Sequence, residues 1–330
     1  MTRSPDGLLA LLLDGERLAV SRAITIVENG QAGAGTLLRG VAGHLGRALV
    51  VGITGPPGAG KSTLAGALAG ALRQRGRSVG VIAVDPSNVA GRGAILGDRI
   101  RMHGHDEDVQ VFVRSLAARG HPGGLSVATA AAADLLDAAG FDVVLIETVG
   151  TGQSETAVAG IADLKLVVTA PGLGDEIQAL KSGVLEIADI LVVNKADRDG
   201  SEDAAQQLRA GLALWPPHRP RPPLLLTVAM TGDGVPALLD AIEAAGETIT
   251  ADARTQRRRR HVRQMIADLA GRRIRDAILH AADGDIARIC QSVLAGSLTL
   301  DAAALHAAVL AARESEPPLR APDRADAMGP

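Results

Sequence analysis

Residues 55–63 read Gly55-Pro56-Pro57-Gly58-Ala59-Gly60-Lys61-Ser62-Thr63. Glycines at this spacing let a backbone curl until successive N–H groups point at phosphate oxygens. Lys61 is placed to reach β- and γ-phosphates, Ser62 to give a hydroxyl to Mg²⁺, and Thr63 to support the α-phosphate. Residues 194–197 read Asn194-Lys195-Ala196-Asp197. A carboxylate at Asp197 can accept both N1–H and the 2-amino group of guanine. Adenine offers no such donor pair and would leave the acid unsatisfied. Lys195 can lay its stem along the base, Asn194 can tie this loop to the phosphate loop, and the Ala229 N–H can reach guanine O6. The first motif says that a triphosphate is held; the second says which base it carries.

Two acids stand where a metal would lie. Asp85 ends the apolar run 79–84, and Glu147 ends 143–146. Strand-end carboxylates of this kind bind Mg²⁺ directly or through its waters, or else cap the next helix. Beyond Glu147, the Gly150 N–H can sense a γ-phosphate. His103, His105 and His121 offer no third ligand at a typical metal spacing, so a solvated turn is the better reading. The basic run Arg257 to Arg260 reads first as a solvated helix face. Pro at position 56, rather than Lys, excludes the deviant Walker A loop of Min-type ATPases.

The elements around these motifs alternate. An amphipathic helix is expected over 7–30 and a short one over 36–46. Strands are expected over 48–54, 78–84, 109–113, 142–146, 164–169, 190–193 and 224–228. Helices are expected over 64–75, stopping at Gly76, and over 124–139. Strand–helix alternation implies an α/β fold, a P-loop domain whose mostly parallel sheet is flanked by helices on both faces. After about residue 250 the pattern is helical only: one long Arg-rich helix to 282, then shorter ones near 286–296 and 300–313. The expected organisation is an N-terminal helical segment (1–46), a P-loop domain (47–249), a C-terminal helical extension (250–313) and a disordered Pro-rich, charged tail (314–330).

Composition narrows the partners. The 330 residues are 47% hydrophobic but hold only two Phe, one Trp and no Tyr, so the core must be Ala, Val, Leu and Ile. Few aromatics and a net charge of −3 argue against nucleic-acid binding. Cys290 is the only cysteine, which excludes an internal disulfide and fits a reduced, cytoplasmic setting. No apolar run reaches membrane length.

With these residues in place the chain resembles the MeaB/ArgK family of metallochaperone GTPases. The resemblance covers about residues 10–285. It rests on the phosphate loop, Val84 to Ser87, Ile95 to Met102, Arg114-Ser115, Arg119 to His121, Gly123 to Leu125, Glu147 to Gly150, Gly152 to Glu155, and Gly174 to Gln178 through Glu186 to Asp189. It implies a homodimer, joined through C-terminal helices, that binds and hydrolyses GTP. It also implies a client, an adenosylcobalamin-dependent acyl-CoA mutase and chiefly methylmalonyl-CoA mutase. GTP would gate loading of the cobalamin, which this chain does not itself bind, and would protect or rescue the mutase. By resemblance Asp85, Asp98 and Glu147 belong to the Mg²⁺ and hydrolysis machinery. Residues 86–102 match switch I and 148–160 switch II. Asp175, Glu176, Gln178 and Lys181 match a third switch that contacts the mutase. Asp98 or Gln153 could orient the attacking water; the sequence leaves both open. The chain departs from the family at Asn88 to Arg92, at Thr151 and at Lys181-Ser182. No arginine is placed as a finger, so slow intrinsic turnover is expected, raised by the mutase. The alternative is a nucleotide-dependent kinase of a transport-system protein, which would require ATP preference.

Overall fold

The computed structural model describes residues 5–85, 108–117, 127–148, 158, 160–173, 184–212, 215, 220–281 and 284–314. The chain forms two compact units, Met1–Arg258 and Arg259–Pro330.

The first unit is built on seven strands: β1 (Leu49–Thr54), β2 (Val79–Asp85), β3 (Val111–Ala117), β4 (Val143–Glu147), β5 (Leu164–Thr169), β6 (Ile190–Asn194) and β7 (Leu224–Thr227). They lie in the order β3-β2-β4-β1-β5-β6-β7, and every pair is parallel. Among the helices, α1 (Pro5–Leu13), α2 (Arg17–Glu28), α3 (Ala34–Val41) and α4 (Lys61–Gln74) come first. Then follow α5 (Val127–Ala138), α6 (Val184–Ile187), α7 (Ser201–Leu212), α8 (Val235–Glu247) and α9 (Ala251–His280). The second unit takes α9 from Arg259 onward and adds α10 (Asp285–Leu294) and α11 (Leu300–Glu314). Among the described residues no helix is long and apolar enough to cross a membrane.

Alternation along each strand sorts side chains to the two faces. Val79, Val81, Val143, Leu145, Ile190 and Val192 join Leu64, Leu68 and Leu72 of α4 and Leu238, Leu239 and Ile242 of α8. Ile82, Val84, Val144 and Ile146 face the other way, toward Leu135 and Leu136 of α5 and the N-terminal helices. A third cluster sets Val167, Leu191 and Val193 against Leu208 and Leu212 of α7, with Trp215. Trp215 is 8% exposed and donates its indole N–H to the Pro220 carbonyl at 3.0 Å. Burial on both faces explains the nearly unbroken apolar runs of the strands. Each fully buried Leu or Ile contributes about 1.5–3 kcal/mol.

The N-terminal helix expected over 7–30 is two helices. Gly15, at φ +76°, breaks it, and α1 and α2 then fold back to bury Leu8, Leu12, Val20 and Ile24 in one cluster. The strand expected at 109–113 begins instead at Val111 and runs to Ala117. Asp108 forms a turn there, its carboxylate accepting from the Gln110 N–H and from Arg73 Nε, and Val109 is left exposed. The long C-terminal helix ends at His280, and the short ones lie at 285–294 and 300–314.

The lead into β1 is held by one acid. Asp137 of α5, itself buried, accepts from the backbone N–H groups of Gly46, Arg47 and Ala48. One turn earlier, Asp134 lies 3.9 Å from Arg258 Nη2 with 40% of its side chain exposed. Loss of water pushes its pKa from 3.8 up to about 6; Arg258 pulls it down and Asp137 pushes it up. The folded state therefore binds this proton more tightly than the unfolded chain does. Stability contributed here is present below pH 3.8 and is lost as the pH rises toward 6. Asp134→Asn should raise stability at pH 7 by up to about 1 kcal/mol, after discounting for solvent screening. The gain should vanish below pH 4. Urea unfolding at the two pH values checks this.

Candidate nucleotide site

The phosphate loop joins β1 to α4 at the carboxyl edge of the sheet. Two of its glycines have no substitute. Gly55 sits at φ +141°, and a Cβ there would lie 1.9 Å from the Val168 carbonyl oxygen of β5. Gly60 sits at φ +87°, and its Cβ would lie 2.4 Å from Asn194 Nδ2. The loop is thus pressed against both β5 and the base-reading segment. It opens α4, whose N-terminus carries partial positive charge toward the loop.

Lys61, only 6% exposed, donates from Nζ to the Gly55 carbonyl at 2.8 Å and to the Pro56 carbonyl at 2.9 Å. The ammonium is held inside the curl of its own loop. Ser62 donates its hydroxyl to Glu147 Oε1. Register explains that meeting across 85 residues: Glu147 lies opposite Ile53, the penultimate residue of β1, and is 9% exposed. Pro57 and Gly58 are exposed, Pro56 and Ala59 buried, and Thr63 half-buried in the first turn of α4.

Residues 194–197 meet the loop through Asn194, which is 1% exposed. Its Nδ2 donates to the Ala59 carbonyl at 2.9 Å. Its Oδ1 accepts from Thr227 Oγ1 at 3.2 Å and from the Ala229 N–H at 3.1 Å. One amide joins three segments: the phosphate loop, β6 and the turn after β7. Lys195 takes φ +58°, the one non-glycine residue at positive φ among those described, and sends Nζ to the Gly58 carbonyl at 2.6 Å. Its stem thereby spans from the base loop to the phosphate loop. Ala196 N–H bonds the Thr227 carbonyl at 3.0 Å, which leaves Asp197 exposed at the rim.

The structure therefore brings together residues 55–63, Glu147, Asn194, Lys195, Asp197 and Ala229. Asp85 ends β2, two residues past the level of Glu147 on the adjoining strand. Asp98, Gly150, Gln153, Asp175, Glu176, Gln178 and Lys181 lie outside the described residues, as do His103, His105 and His121. Sequence reasoning passed over Thr227, because a strand-end threonine looks like an ordinary β-former; only its pairing with Asn194 gives it a place.

The donors suit a hard cation. Ser62 Oγ and a Glu147 oxygen already meet, and Mg²⁺ in nucleotide sites takes one or two protein oxygens, with phosphate and water completing the shell. No cluster of three or more His, Cys, Asp or Glu suited to a metal occurs among the described residues. That is compatible with such a shared site. Ser62, Glu147 and, by strand position, Asp85 would hold the ion, which would supply charge neutralisation at the phosphates.

Comparison with known proteins agrees with this geometry. A family model described as "Methylmalonyl Co-A mutase-associated GTPase MeaB" matches residues 20–283. A Pyrococcus horikoshii protein named as a GTPase is 44% identical over 278 residues, covering 82% of this chain and 88% of that protein. GTPase ArgK of Escherichia coli is 38% identical, covering 74% and 77%. The mouse methylmalonic aciduria type A homolog, a mitochondrial protein, is 34% identical, covering 73% of this chain and 62% of its own. Among solved structures, one titled as a LAO/AO transport system kinase matches with a TM-score of 0.71 at 27% identity, covering 94% of this chain and 99% of that one.

Proposed function

Because this chain belongs to the family of methylmalonyl-CoA mutase-associated GTPases and is itself a GTPase, we propose that it couples GTP hydrolysis to the care of an adenosylcobalamin-dependent acyl-CoA mutase. Methylmalonyl-CoA mutase is the first candidate client. The observation that carries the proposal is the family match over residues 20–283, which spans both the nucleotide site and the stretch from Gly174 to Asp189. The mouse relative, named for a disorder of methylmalonate, supports the same client.

In this reading Lys61 leaves the Gly55 and Pro56 carbonyls for the β- and γ-phosphate oxygens, so the loop trades an internal partner for a ligand one. Ser62 and Glu147 would hold Mg²⁺, which would supply charge neutralisation at the phosphates. Asn194 holds the base loop against the phosphate loop while Asp197 accepts from guanine. The Ala229 N–H, turned toward Asn194 Oδ1 here, lies on the turn that would face guanine O6. Asp98 and Gln153 share the water-orienting role as candidates. Asp175, Glu176, Gln178 and Lys181 would carry client contact back to the site.

The second unit would supply a dimer contact. Val262, Ile266 and Leu269 recur at i, i+4 and i+7 on α9 and are exposed. An open cavity of about 590 Å³ between α10 and α11 is lined by Ile289, Leu298, Leu305 and Val309. Exposed apolar stripes of this kind are covered in assemblies.

The test is GTP turnover with and without purified mutase. The chain alone should turn over at about 10⁻³ s⁻¹, as unassisted GTPases do, and the mutase should accelerate it. Fast turnover by the chain alone, or no response to any cobalamin-dependent acyl-CoA mutase, counts against the escort role. The kinase title of the solved relative makes phosphoryl transfer from ATP to a protein the competing outcome.

A further inference from the structure

At the end of β4 one residue adds side-chain contacts to the backbone pairing with β1. Thr148, 1% exposed, follows Glu147 directly. Its N–H bonds the Ile53 carbonyl at 3.0 Å, part of the Ile53–Glu147 pairing that closes the β1–β4 ladder. Its hydroxyl lies 3.0 Å from Thr54 Oγ1 and 3.4 Å from the Ile53 carbonyl. Thr54 is fully buried and is the last residue before Gly55. The two hydroxyls thus sit back to back at the points where β1 becomes the phosphate loop and where the chain leaves β4.

Alternation puts Glu147 and Thr148 on opposite faces of the sheet. Glu147 points to Ser62 on α4; Thr148 points to Thr54 on the other side. Fixing the backbone of Thr148 fixes the plane from which the Glu147 carboxylate projects. Thr148 Oγ1 donates to Thr54 Oγ1, with the Ile53 carbonyl as a longer second acceptor, so removing either hydroxyl breaks the shorter of the two contacts.

We propose that Thr148 is a positioning residue for GTP hydrolysis, with Thr54 as its partner, and that the pair holds the Glu147 carboxylate in register with Ser62 at the mouth of the phosphate loop. This rests on the assignment of Ser62 and Glu147 to the metal and phosphate site. Both threonine side chains are buried, at 0% and 1% exposure. Their effect falls on the chemical step, because small misplacements of a group near reacting atoms cost about 10²-fold in rate while leaving most binding contacts in place. Binding is expected to draw mainly on Lys61, the loop N–H groups and Asp197.

The experiment is Thr148→Val and Thr54→Val, singly and together, with Thr148→Ser as the restoring variant. Single-turnover GTP hydrolysis is followed at varied Mg²⁺, with GTP and GDP affinities measured by calorimetry. Expected are a roughly 10- to 100-fold slower step in Thr148→Val, nucleotide affinities within about twofold, a raised Mg²⁺ requirement, and substantial recovery in Thr148→Ser. The double variant should lose no more than Thr148→Val alone, since the contact that Thr54→Val removes is one that Thr148→Val has already removed. If Thr148→Val does not fold, Thr54→Val removes that bond from the other end and is read in its place. Wild-type rate and Mg²⁺ dependence in the valine variants would overturn the proposal, as would multiplicative losses in the double variant. Loss of nucleotide binding in parallel with rate would reduce the pair to general structure and overturn it too. A wild-type chain whose Ser62→Ala variant keeps its Mg²⁺ dependence would instead overturn the metal assignment beneath it.

Discussion

Lys61→Ala should weaken GTP binding about a hundred- to thousandfold and abolish measurable turnover. The ammonium sits in a site only 6% exposed, where charge–phosphate attraction is little screened. Truncating one partner of such a pair costs about 2–5 kcal/mol, and each 1.4 kcal/mol is tenfold in affinity. The empty loop should suffer as well, since Nζ bridges the Gly55 and Pro56 carbonyls and nothing in alanine can replace it. Titration calorimetry with GTP and GDP checks both ends of the effect. Triphosphate affinity that survives Lys61→Ala would mean that the phosphates lie elsewhere.

Asp197→Asn should lower GTP affinity by about 10³-fold and erase the preference over ATP. The carboxylate is read as accepting two guanine N–H groups; an amide turns one acceptor into a donor and faces it toward a donor. One lost hydrogen bond, a second weakened by loss of the acceptor's charge, and one donor–donor contact together amount to about 4 kcal/mol, or about 10³-fold. The same change fits xanthine, which carries a carbonyl where guanine carries its 2-amino group. The variant should therefore gain affinity for xanthosine triphosphate. Competition binding among the three triphosphates is the measurement. An unchanged guanine preference would remove the base site from residues 194–197 and reopen the kinase reading.

The nucleotide motifs were legible because each is contiguous and its chemistry is local. Gly55 to Thr63 needs only its own backbone to curl, and Asn194 to Asp197 needs only a strand before it. The strands of the sheet were legible because burial on both faces leaves runs such as Val143 to Ile146 with no polar residue. What escaped depends on distant partners. Gly15 divides the first helix because α1 and α2 must both reach α5, and no period in the sequence states that. Strand β3 continues through Arg114 because that side chain is met by Glu28 at 2.8 Å and by Thr25 at 3.1 Å, both on α2. The first turn of α4 starts at Lys61 rather than Leu64, because the phosphate loop itself supplies the helix start. The contact of Ser62 with Glu147 and the three-way role of Asn194 are products of strand order, and only the second had been anticipated in part, as a tie between loops.

The solitary indole of this protein has a practical use. Trp215 leans on Val193, the residue before Asn194, and no tyrosine shares its ultraviolet band. With one Trp and no Tyr, indole fluorescence reports a single emitter, in the cluster that holds Val193. A shift of its fluorescence during denaturant titration reports the loosening of that corner alone. Where that curve departs from circular dichroism of the whole chain, the corner around Trp215 and the rest of the sheet do not melt as one.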